Sequence, residues 1–117
     1  MCELCAANDI LIANELAYVR FDNNGLSRGH ALIVPRRHIP NFFDMTREER
    51  AAVDELLQAA HKEILARFNP NGFNILVNVG EAAGQKRMHV HMHLIPRYVG
   101  DVPDHEWRST SHKSSDT

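Results

Sequence analysis

Three of the eight histidines in this chain alternate with apolar residues in one stretch, Met88-His89-Val90-His91-Met92-His93-Leu94-Ile95-Pro96. In a β-strand, residues i, i+2 and i+4 project from the same face, about 6.6 Å apart per step. In an α-helix, two residues rotate by about 200°, which would place consecutive histidines of this set on nearly opposite sides. The alternation therefore predicts a strand that carries three imidazoles on one face and apolar side chains on the other.

Four more runs of β-forming residues precede this stretch, at positions 10–12, 17–22, 30–34 and 73–79. The turn-rich sequence Asp22-Asn23-Asn24-Gly25 separates the second run from the third, which predicts an antiparallel hairpin. A single helix is predicted between the capping box Thr46-Arg47-Glu48-Glu49 and Asn69-Pro70, because apolar residues recur there at three- and four-residue intervals. The predicted fold class is α+β, with about five antiparallel strands and one long amphipathic helix.

The composition of the chain excludes several classes of partner. Thirteen Lys and Arg against 15 Asp and Glu give a net charge of −2, which provides no basic field, so no nucleic-acid partner is expected. The longest apolar stretches fall far short of the roughly 20 residues that cross a bilayer, and no signal-peptide pattern opens the chain. We expect a cytoplasmic protein without membrane association. A single domain is predicted over residues 1–100, followed by a partly disordered C-terminal arm over residues 101–117.

The clustered imidazoles are suited to a small set of tasks. They can bind a metal, supply a nucleophile with acid–base neighbours, or bind an anion such as phosphate. The pair Cys2-x-x-Cys5 adds a metal or redox signal, because two thiols three residues apart do not form a disulfide framework. Two thiolates supply only half of a tetrahedral zinc site, so two further ligands would be needed. Residue spacing alone leaves these alternatives open.

The region that runs from Gly84-Gln85 through the three histidines to Arg97 resembles the signature of the histidine triad (HIT) superfamily of nucleotide hydrolases and transferases. Two more blocks agree with the family in the same order along the chain. One is Asp22 followed by Gly29-His30-Ala31-Leu32-Ile33-Val34-Pro35-Arg36-Arg37-His38, and the other is Asn78 ahead of Gly80-Glu81. The resemblance covers roughly residues 1–100 and implies an antiparallel sheet with a long helix, assembled as a homodimer.

The resemblance also implies roles for residues of these blocks. His91 is the expected nucleophile, which attacks the α-phosphorus of a nucleotide and forms a covalent nucleotidyl-histidine intermediate, with His93 and His30 as catalytic neighbours. Gln85 and Asn78 are expected to donate hydrogen bonds to phosphate oxygens, and Asp22 to accept them from ribose hydroxyls. The expected substrates are dinucleoside polyphosphates or nucleoside phosphoramidates. Apolar residues of the first strands are expected to contact the base, with these candidates: Ile10, Leu11, Tyr18 and Phe21.

A structural zinc site is a further implication of the resemblance. Some relatives carry an N-terminal cysteine pair, and the family pattern then implies the ligand set Cys2, Cys5, His38 and His89. Zinc bound there would tie the start of the chain to the catalytic strand. No organic cofactor is expected.

Because the sequence departs from the family pattern at two places, it does not determine the leaving group of the substrate. Lys86 stands where the family commonly has a small hydroxyl residue, so it either contacts a polyphosphate or points into water. The C-terminal arm reads Pro103-Asp104-His105-Glu106-Trp107-Arg108 where relatives often have a run rich in Gly and Arg. Two other functions also stay open, namely a catalytic metal held by the three strand histidines and a zinc-stabilised nucleotide-binding module without turnover.

Overall fold

The computed structural model of the protein describes residues 2–101, which fold into one antiparallel sheet and one long helix. The strands are β1 (Ile12–Ala13), β2 (Ala17–Phe21), β3 (Ala31–Pro35), β4 (Gly72–Leu76) and β5 (Met92–Arg97), and the helix is α1 (Arg47–Phe68). Short 3-10 turns stand at Leu4–Ala6, Phe42–Asp44 and Glu81–Ala83. The strand order is β1-β2-β3-β5-β4, so β5 lies between β3 and β4. The predicted α+β fold with five antiparallel strands and one helix is confirmed.

Helix α1 begins and ends where the sequence predicts. The Thr46 hydroxyl accepts a hydrogen bond from the Glu49 amide at 3.0 Å, and the Glu49 carboxylate accepts one from the Thr46 amide at 2.8 Å. This capping box satisfies two amides near the helix start that would otherwise have no partner. The helix ends at Asn69, which adopts φ 51° in the left-handed region before Pro70. In the described part of the chain, no helix has the length and hydropathy needed to cross a membrane.

The two faces of the sheet are covered by different parts of the chain. Helix α1 packs on one face, and Leu4 of the N-terminal segment packs on the other with Tyr18 and Leu32. The Tyr18 hydroxyl donates to the Leu4 carbonyl, so this phenol is buried without losing its polar partner. Because both faces are covered, consecutive residues of β2 and β3 are buried instead of alternating between buried and exposed.

The strand register aligns polar side chains on the face opposite α1. Leu32 of β3 pairs with Arg20 of β2 on one side and with His93 of β5 on the other. Directly paired residues project from the same face, so these three side chains form a row across the sheet. Next to this row, the Asp22 amide donates to the His30 carbonyl at 2.9 Å. The candidate catalytic residue His93 therefore shares its face of the sheet with a buried arginine.

Two predicted strands are shorter in the structure. The strand predicted over residues 73–79 ends at residue 76, and the final strand begins only at Met92. Residues 88–91 leave the sheet because the Val90 amide donates to the Ile39 carbonyl, in the loop after β3, at 2.7 Å. The prediction that one strand carries all three histidines is therefore wrong, since only His93 lies in β5. Of the predicted C-terminal arm, all but residue 101 lies outside the described residues.

Candidate active site

Four polar side chains, those of Asp22, His30, His91 and His93, gather in one place beside the sheet. The rings of His30 and His93 have centroids 5.1 Å apart, and those of His91 and His93 are 4.9 Å apart. The Asp22 carboxylate lies 3.7 Å from Nε2 of His30. All three histidines are buried. The structure thus brings the three predicted catalytic histidines together with the predicted ribose ligand.

The hydrogen bonds in this group determine which ring nitrogen of His30 and of His93 carries the hydrogen. The amide of Leu26, in the loop between β2 and β3, donates to Nδ1 of His30 at 2.9 Å. A neutral imidazole has one N–H, so Nε2 of His30 carries it and donates to Nδ1 of His93 at 2.9 Å. The hydrogen of His93 then lies on Nε2, which is buried and has no hydrogen-bond partner within residues 2–101. We call Leu26, His30 and His93 the histidine relay.

Burial keeps the relay neutral. It is the main cause that lowers the pKa of His93 to about 3, and the neighbouring His91 and His30 rings add to this shift. Burial also lowers the pKa of His30, although the Asp22 carboxylate opposes the change. Neutral rings are what the relay requires, because a charged imidazole has no lone pair with which to accept a hydrogen bond.

His91 is held by its other ring nitrogen. Its Nδ1 donates to the His89 carbonyl at 2.9 Å, which leaves the lone pair on Nε2. Burial is the main cause that lowers the pKa of His91, so this ring is also neutral near pH 7. A neutral imidazole with one nitrogen fixed by a backbone carbonyl and a lone pair on the other is suited to nucleophilic attack.

Asp22 lines a cleft of about 300 Å³ beside the relay. One of its carboxylate oxygens accepts a hydrogen bond from the Asn24 amide at 3.0 Å, which closes the turn after β2. Gly29 also lines this cleft with φ +90°, and an added Cβ would lie 2.8 Å from the Phe68 ring. Glycine is therefore required before His30 for steric reasons, and the Asp22 carboxylate stands where the open cleft meets His30, one of the predicted catalytic histidines.

Gln85 is buried and holds the loop that precedes the histidines. Its amide nitrogen donates to the carbonyls of Pro40 and Arg87 at 2.7 and 3.0 Å, and its oxygen accepts from the Gly80 amide at 2.8 Å. Both N–H groups are thus bonded to backbone carbonyls, and a direct bond to phosphate would replace one of them. Asn78 is half-buried just beyond β4. The phosphate-binding roles of Gln85 and Asn78 stay predictions.

The four residues predicted to contact a base are not gathered in one place. Leu11 and Phe21 pack against the core on the α1 side of the sheet. Tyr18 lies on the other side, fully buried with Leu4. Ile10 is exposed. The structure therefore does not form a single base pocket from this set.

The four predicted zinc ligands converge beside the N-terminal segment. Nδ1 of His89 lies 3.2 Å from Sγ of Cys2 and 3.3 Å from Sγ of Cys5, and Nδ1 of His38 lies 3.3 Å from Sγ of Cys5. Nε2 of His89 donates to the Pro35 carbonyl at 2.6 Å, so its lone pair on Nδ1 faces the thiols. All four ligand atoms lie within 4.8 Å of one another, and two thiols with two imidazoles suit tetrahedral zinc. We call this group the cysteine–histidine clasp.

A second group of potential ligands, Asp22, His30 and His93, fits a metal poorly. The Leu26 amide already bonds to the lone pair on Nδ1 of His30, and a metal at Nε2 would need a second lone pair that a neutral imidazole lacks. Within the described ranges, the three histidines of residues 88–96 form no common ligand group. The hydrogen bonds therefore favour a metal in the clasp over a catalytic metal held by these three histidines.

Two arginines beside the site were not predicted from the sequence as functional. Arg20 is buried in the row that contains His93. Arg87 is half-buried, whereas its neighbour Lys86, which departs from the family pattern, is exposed. A cation inside the apolar run 17–21 was the available signal for Arg20. The sequence carried no comparable signal for Arg87.

A protein-family model described as the HIT domain matches residues 5–100 of the chain. The chain belongs to the HIT domain family. Among curated HIT relatives, Protein hit of Bacillus subtilis is 39% identical over 89 residues, which are 75% of this chain and 61% of that protein. Adenylylsulfatase HINT3 of Arabidopsis thaliana is 36% identical over 91 residues, 78% of this chain and 46% of the relative. The bis(5'-adenosyl)-triphosphatase of Dictyostelium discoideum is 29% identical over 103 residues, 88% of this chain and 69% of the relative.

Solved HIT structures have the same fold as this chain. A HIT family protein from Bacillus anthracis superposes with a TM-score of 0.80 at 29% identity, covering 96% of this chain and 89% of that one. A Zn-bound histidine triad family protein from Mycobacterium smegmatis superposes with a TM-score of 0.77 at 26% identity, covering 97% and 92%. The resemblance to the HIT family is confirmed, although the chain spans only 61% and 46% of the first two curated relatives named above.

Proposed function

We propose that this HIT protein is a nucleotide hydrolase or nucleotidyl transferase that cleaves at the α-phosphorus through a covalent nucleotidyl-His91 intermediate. The observation that carries the proposal is the hydrogen bond from Nδ1 of His91 to the His89 carbonyl, which leaves the lone pair on Nε2. The same carbonyl stabilises the positive charge that the ring acquires once Nε2 is bonded to phosphorus.

The proposed reaction has two steps. First, the Nε2 lone pair of His91 forms a bond to the α-phosphorus, and the bond from phosphorus to the leaving group breaks. The leaving group keeps the electron pair of that bond and takes up a proton where its basicity requires one. Then water attacks the phosphorus, the phosphorus–nitrogen bond breaks, and the nucleoside monophosphate leaves with one water proton released to solvent. An acceptor other than water in the second step gives nucleotidyl transfer.

The neighbouring residues position the phosphate and the ribose in this proposal. The Nε2–H of His93 donates to a non-bridging oxygen of the α-phosphate, where it offsets the negative charge of the transition state. The Leu26 amide keeps His30 in the tautomer that maintains this donor. The Asp22 carboxylate accepts hydrogen bonds from the ribose hydroxyls. The phosphate site is completed by two side-chain amides, that of Asn78 and that of Gln85, which exchanges one of its hydrogen bonds to the carbonyls of Pro40 and Arg87 for one to the phosphate.

The names of two relatives support the substrate class. One is a bis(5'-adenosyl)-triphosphatase and the other an adenylylsulfatase. In both kinds of substrate, an adenosine 5'-phosphate is joined through its α-phosphorus to a second group. We therefore propose dinucleoside polyphosphates or nucleoside phosphoramidates as substrates of this chain.

The clasp is proposed to hold a structural zinc ion. Zinc bound there supplies a cross-link between the N-terminal segment and the residues around His89, and takes no part in the bond changes. The Zn-bound neighbour from Mycobacterium smegmatis supports this assignment. A cytoplasmic location agrees with it, because a reducing compartment keeps both thiols available as ligands.

A homodimer is proposed through the side of the molecule formed by α1 and β4. Among the described strands, β4 lies at an edge of the sheet, and its Ile75 is 59% exposed. Leu57, Phe73 and Ile75 line a groove of about 330 Å³ between the helix and this strand, together with the polar residues Gln58 and His61. A second copy that covers the groove would also protect the edge strand from unspecific pairing. Analytical ultracentrifugation should show a dimer for the wild type and a monomer for Ile75→Glu.

Trapping the intermediate tests the proposed reaction. Wild-type protein mixed with radiolabelled diadenosine tetraphosphate or adenosine 5'-phosphoramidate and quenched with alkali should retain label on His91, because phosphorus–nitrogen bonds to imidazole are labile in acid. His91→Ala should retain none while still binding AMP. Label on another residue, or turnover by His91→Ala at the wild-type rate, contradicts the covalent mechanism. AMP binding by a wild type that cleaves neither substrate would favour the binding module without turnover.

A further inference from the structure

We propose that Arg87 and Arg20 form an anion site for the phosphates of a polyphosphate leaving group, with Glu3 occupying that site until substrate binds. The inference rests on the proposed function and narrows it, since it assigns polyphosphates rather than phosphoramidates as the preferred substrates. Glu3 belongs to the sequence Cys2-Glu3-Leu4-Cys5, so the clasp determines its position. Three observations support the site: the bridging geometry, the burial of Arg20 and the location of Arg87.

The Glu3 carboxylate bridges the two arginines. Its Oε2 lies 3.8 Å from Nη1 of Arg20, and its Oε1 lies 3.8 Å from Nη2 of Arg87. Both distances exceed the roughly 2.7–2.9 Å of a charge-assisted hydrogen bond. The carboxylate therefore stands between two guanidinium groups without a direct hydrogen bond to either of them. The group of three side chains carries one excess positive charge, which an anion can neutralise.

Arg20 is a buried cation with weak partners. Only 4% of its side chain is exposed, while 54% of the Glu3 side chain is exposed. Among residues 2–101, its other polar contact is a 3.4 Å hydrogen bond from Nε to the Phe21 carbonyl. A guanidinium in this position has lost water without gaining a strong ion pair, which is unfavourable until a better partner binds. A phosphate oxygen offers both the charge and the acceptor geometry that this arginine lacks.

Both arginines lie close to the catalytic histidines. Arg20 is in the same cross-strand row as His93. Arg87 lies two residues before the histidine segment 89–93, and its Nη2 lies 3.8 Å from the Glu3 carboxylate that also faces Arg20. Glu3 and Arg87 also line a cleft of about 360 Å³ together with Cys2 and His38 of the clasp, which gives space for phosphate groups on that side of Arg87. In this proposal, a leaving group bonded to the α-phosphorus at His91 extends past Arg87 toward this cleft and displaces Glu3.

The chemistry of the leaving group explains why this site would be selective. When a phosphoric anhydride is cleaved, the departing polyphosphate gains a negative charge on the oxygen that receives the electron pair. When a phosphoramidate is cleaved, the amine departs without negative charge after protonation. Two guanidinium groups stabilise the first leaving group and have little effect on the second. The exposed Glu3 carboxylate, displaced by the phosphates, returns to water.

Comparing two substrates in the same variants tests the inference. In Arg87→Met, kcat/KM for diadenosine tetraphosphate should fall by about tenfold or more, while kcat/KM for adenosine 5'-phosphoramidate changes by about twofold at most. In Glu3→Gln, kcat/KM for the tetraphosphate should rise, because the competing carboxylate is gone. The exposed Arg47, at the start of α1, supplies the matched control Arg47→Met, which should change neither value. Equal losses on both substrates in Arg87→Met and Glu3→Gln would overturn the proposal.

Binding of inorganic tripolyphosphate provides a readout that does not need turnover. In calorimetry, the wild type should bind it more tightly than Arg87→Met or Arg20→Met, and less tightly than Glu3→Gln. Zinc content and thermal unfolding identify any variant that has lost the clasp or the fold. Equal affinities in the wild type, Arg87→Met and Glu3→Gln overturn the anion site. If the wild type shows the expected binding pattern but cleaves neither substrate, the anion site stands and the proposed hydrolase function fails.

Discussion

The clasp and the candidate active site both use histidine, but a different ring nitrogen is hydrogen-bonded to the backbone in each of them. In the clasp, Nε2 of His89 donates to the Pro35 carbonyl, and the lone pair on Nδ1 faces two thiols. At the catalytic site, Nδ1 of His91 donates to the His89 carbonyl, and the lone pair stands on Nε2. A backbone carbonyl thus assigns each ring its tautomer, so residues two positions apart are suited to different proposed roles, His89 as a metal ligand and His91 as a nucleophile. The sequence motif brings the imidazoles together, and the backbone acceptors determine which nitrogen of each ring keeps its lone pair.

The largest expected effect is a loss of activity without a loss of zinc. His91→Ala should lower kcat for the hydrolysis of diadenosine tetraphosphate by about a thousandfold or more, because no other described ring has the same free lone pair toward the site. The zinc content of the variant should remain equal to that of the wild type, since the clasp ligands are intact. Steady-state kinetics and metal analysis of the same preparation check both expectations. Loss of zinc in His91→Ala would show that the two sites are not independent.

Removing a ligand of the clasp should weaken zinc binding far more than it lowers kcat. Cys5→Ser removes a thiolate ligand and should weaken zinc binding by about 100-fold or more, with a lower melting temperature. Under saturating substrate, kcat should fall by about tenfold at most, because the tautomer of His91 depends on a backbone carbonyl and not on zinc. Competition with a metal chelator measures the first effect, and kinetics the second. If kcat of Cys5→Ser fell as far as that of His91→Ala, zinc would have a catalytic role.

Acid should lower the free energy of unfolding of the protein through the protonation of His93. The pKa of His93 is about 3 in the folded protein and near its ordinary value of 6.5 in the unfolded chain. Between these values, the unfolded state binds a proton that the native state does not, so the free energy of unfolding decreases as pH falls from about 6.5 toward 3. The slope from this one group approaches about 1.4 kcal/mol per pH unit. Above pH 6.5, its contribution is constant.

Urea unfolding between pH 7.5 and pH 4.5 checks this slope, with His93→Gln as the comparison. Both proteins keep the clasp, so protonation of the zinc ligands affects them alike, and the difference between their slopes reports His93 together with its effect on the neighbouring His30 and His91. The variant should lose stability less steeply with falling pH. Identical slopes would mean that His93 is protonated in the native state at acidic pH, which would disagree with a buried neutral ring.

The smallest expected effect lies outside both sites. Thr46→Ala removes the hydroxyl that accepts from the Glu49 amide, and should lower the free energy of unfolding by about 1 kcal/mol. Zinc affinity and kcat should both be unchanged, because both hydrogen bonds from Arg37 to the Glu49 carboxylate, at 2.9 Å, remain and still hold the helix start against the segment before His38. This variant calibrates how much stability can be lost without affecting either site. A change in kcat would instead indicate that the helix start is coupled to the catalytic face.

Most of the fold could be predicted because its signals are local. Alternating side chains predicted the strands, and the capping box predicted the start of α1. The prediction that residues 88–91 belong to β5 was wrong because the Val90 amide donates to the Ile39 carbonyl. No local pattern in the sequence shows where the carbonyl of a distant loop will lie. Leu26 acts through its backbone amide, so its side chain gives no indication of its role. The burial of Arg20 likewise depends on the N-terminal segment covering that face of the sheet.

The position of β5 has a consequence for how the protein matures. Near the end of the described chain, this strand inserts between β3 and β4, in the interior of the sheet. Cys2 meets His89 across 87 residues, and His30 meets His93 across 63, so neither the clasp nor the relay can close within a local hairpin. Because His89, His91 and His93 all follow residue 88, a nascent chain that ends before this point lacks one predicted ligand of the clasp, one end of the relay and the proposed nucleophile. The proposed zinc site and the proposed catalytic site therefore both depend on the same late segment of the described chain.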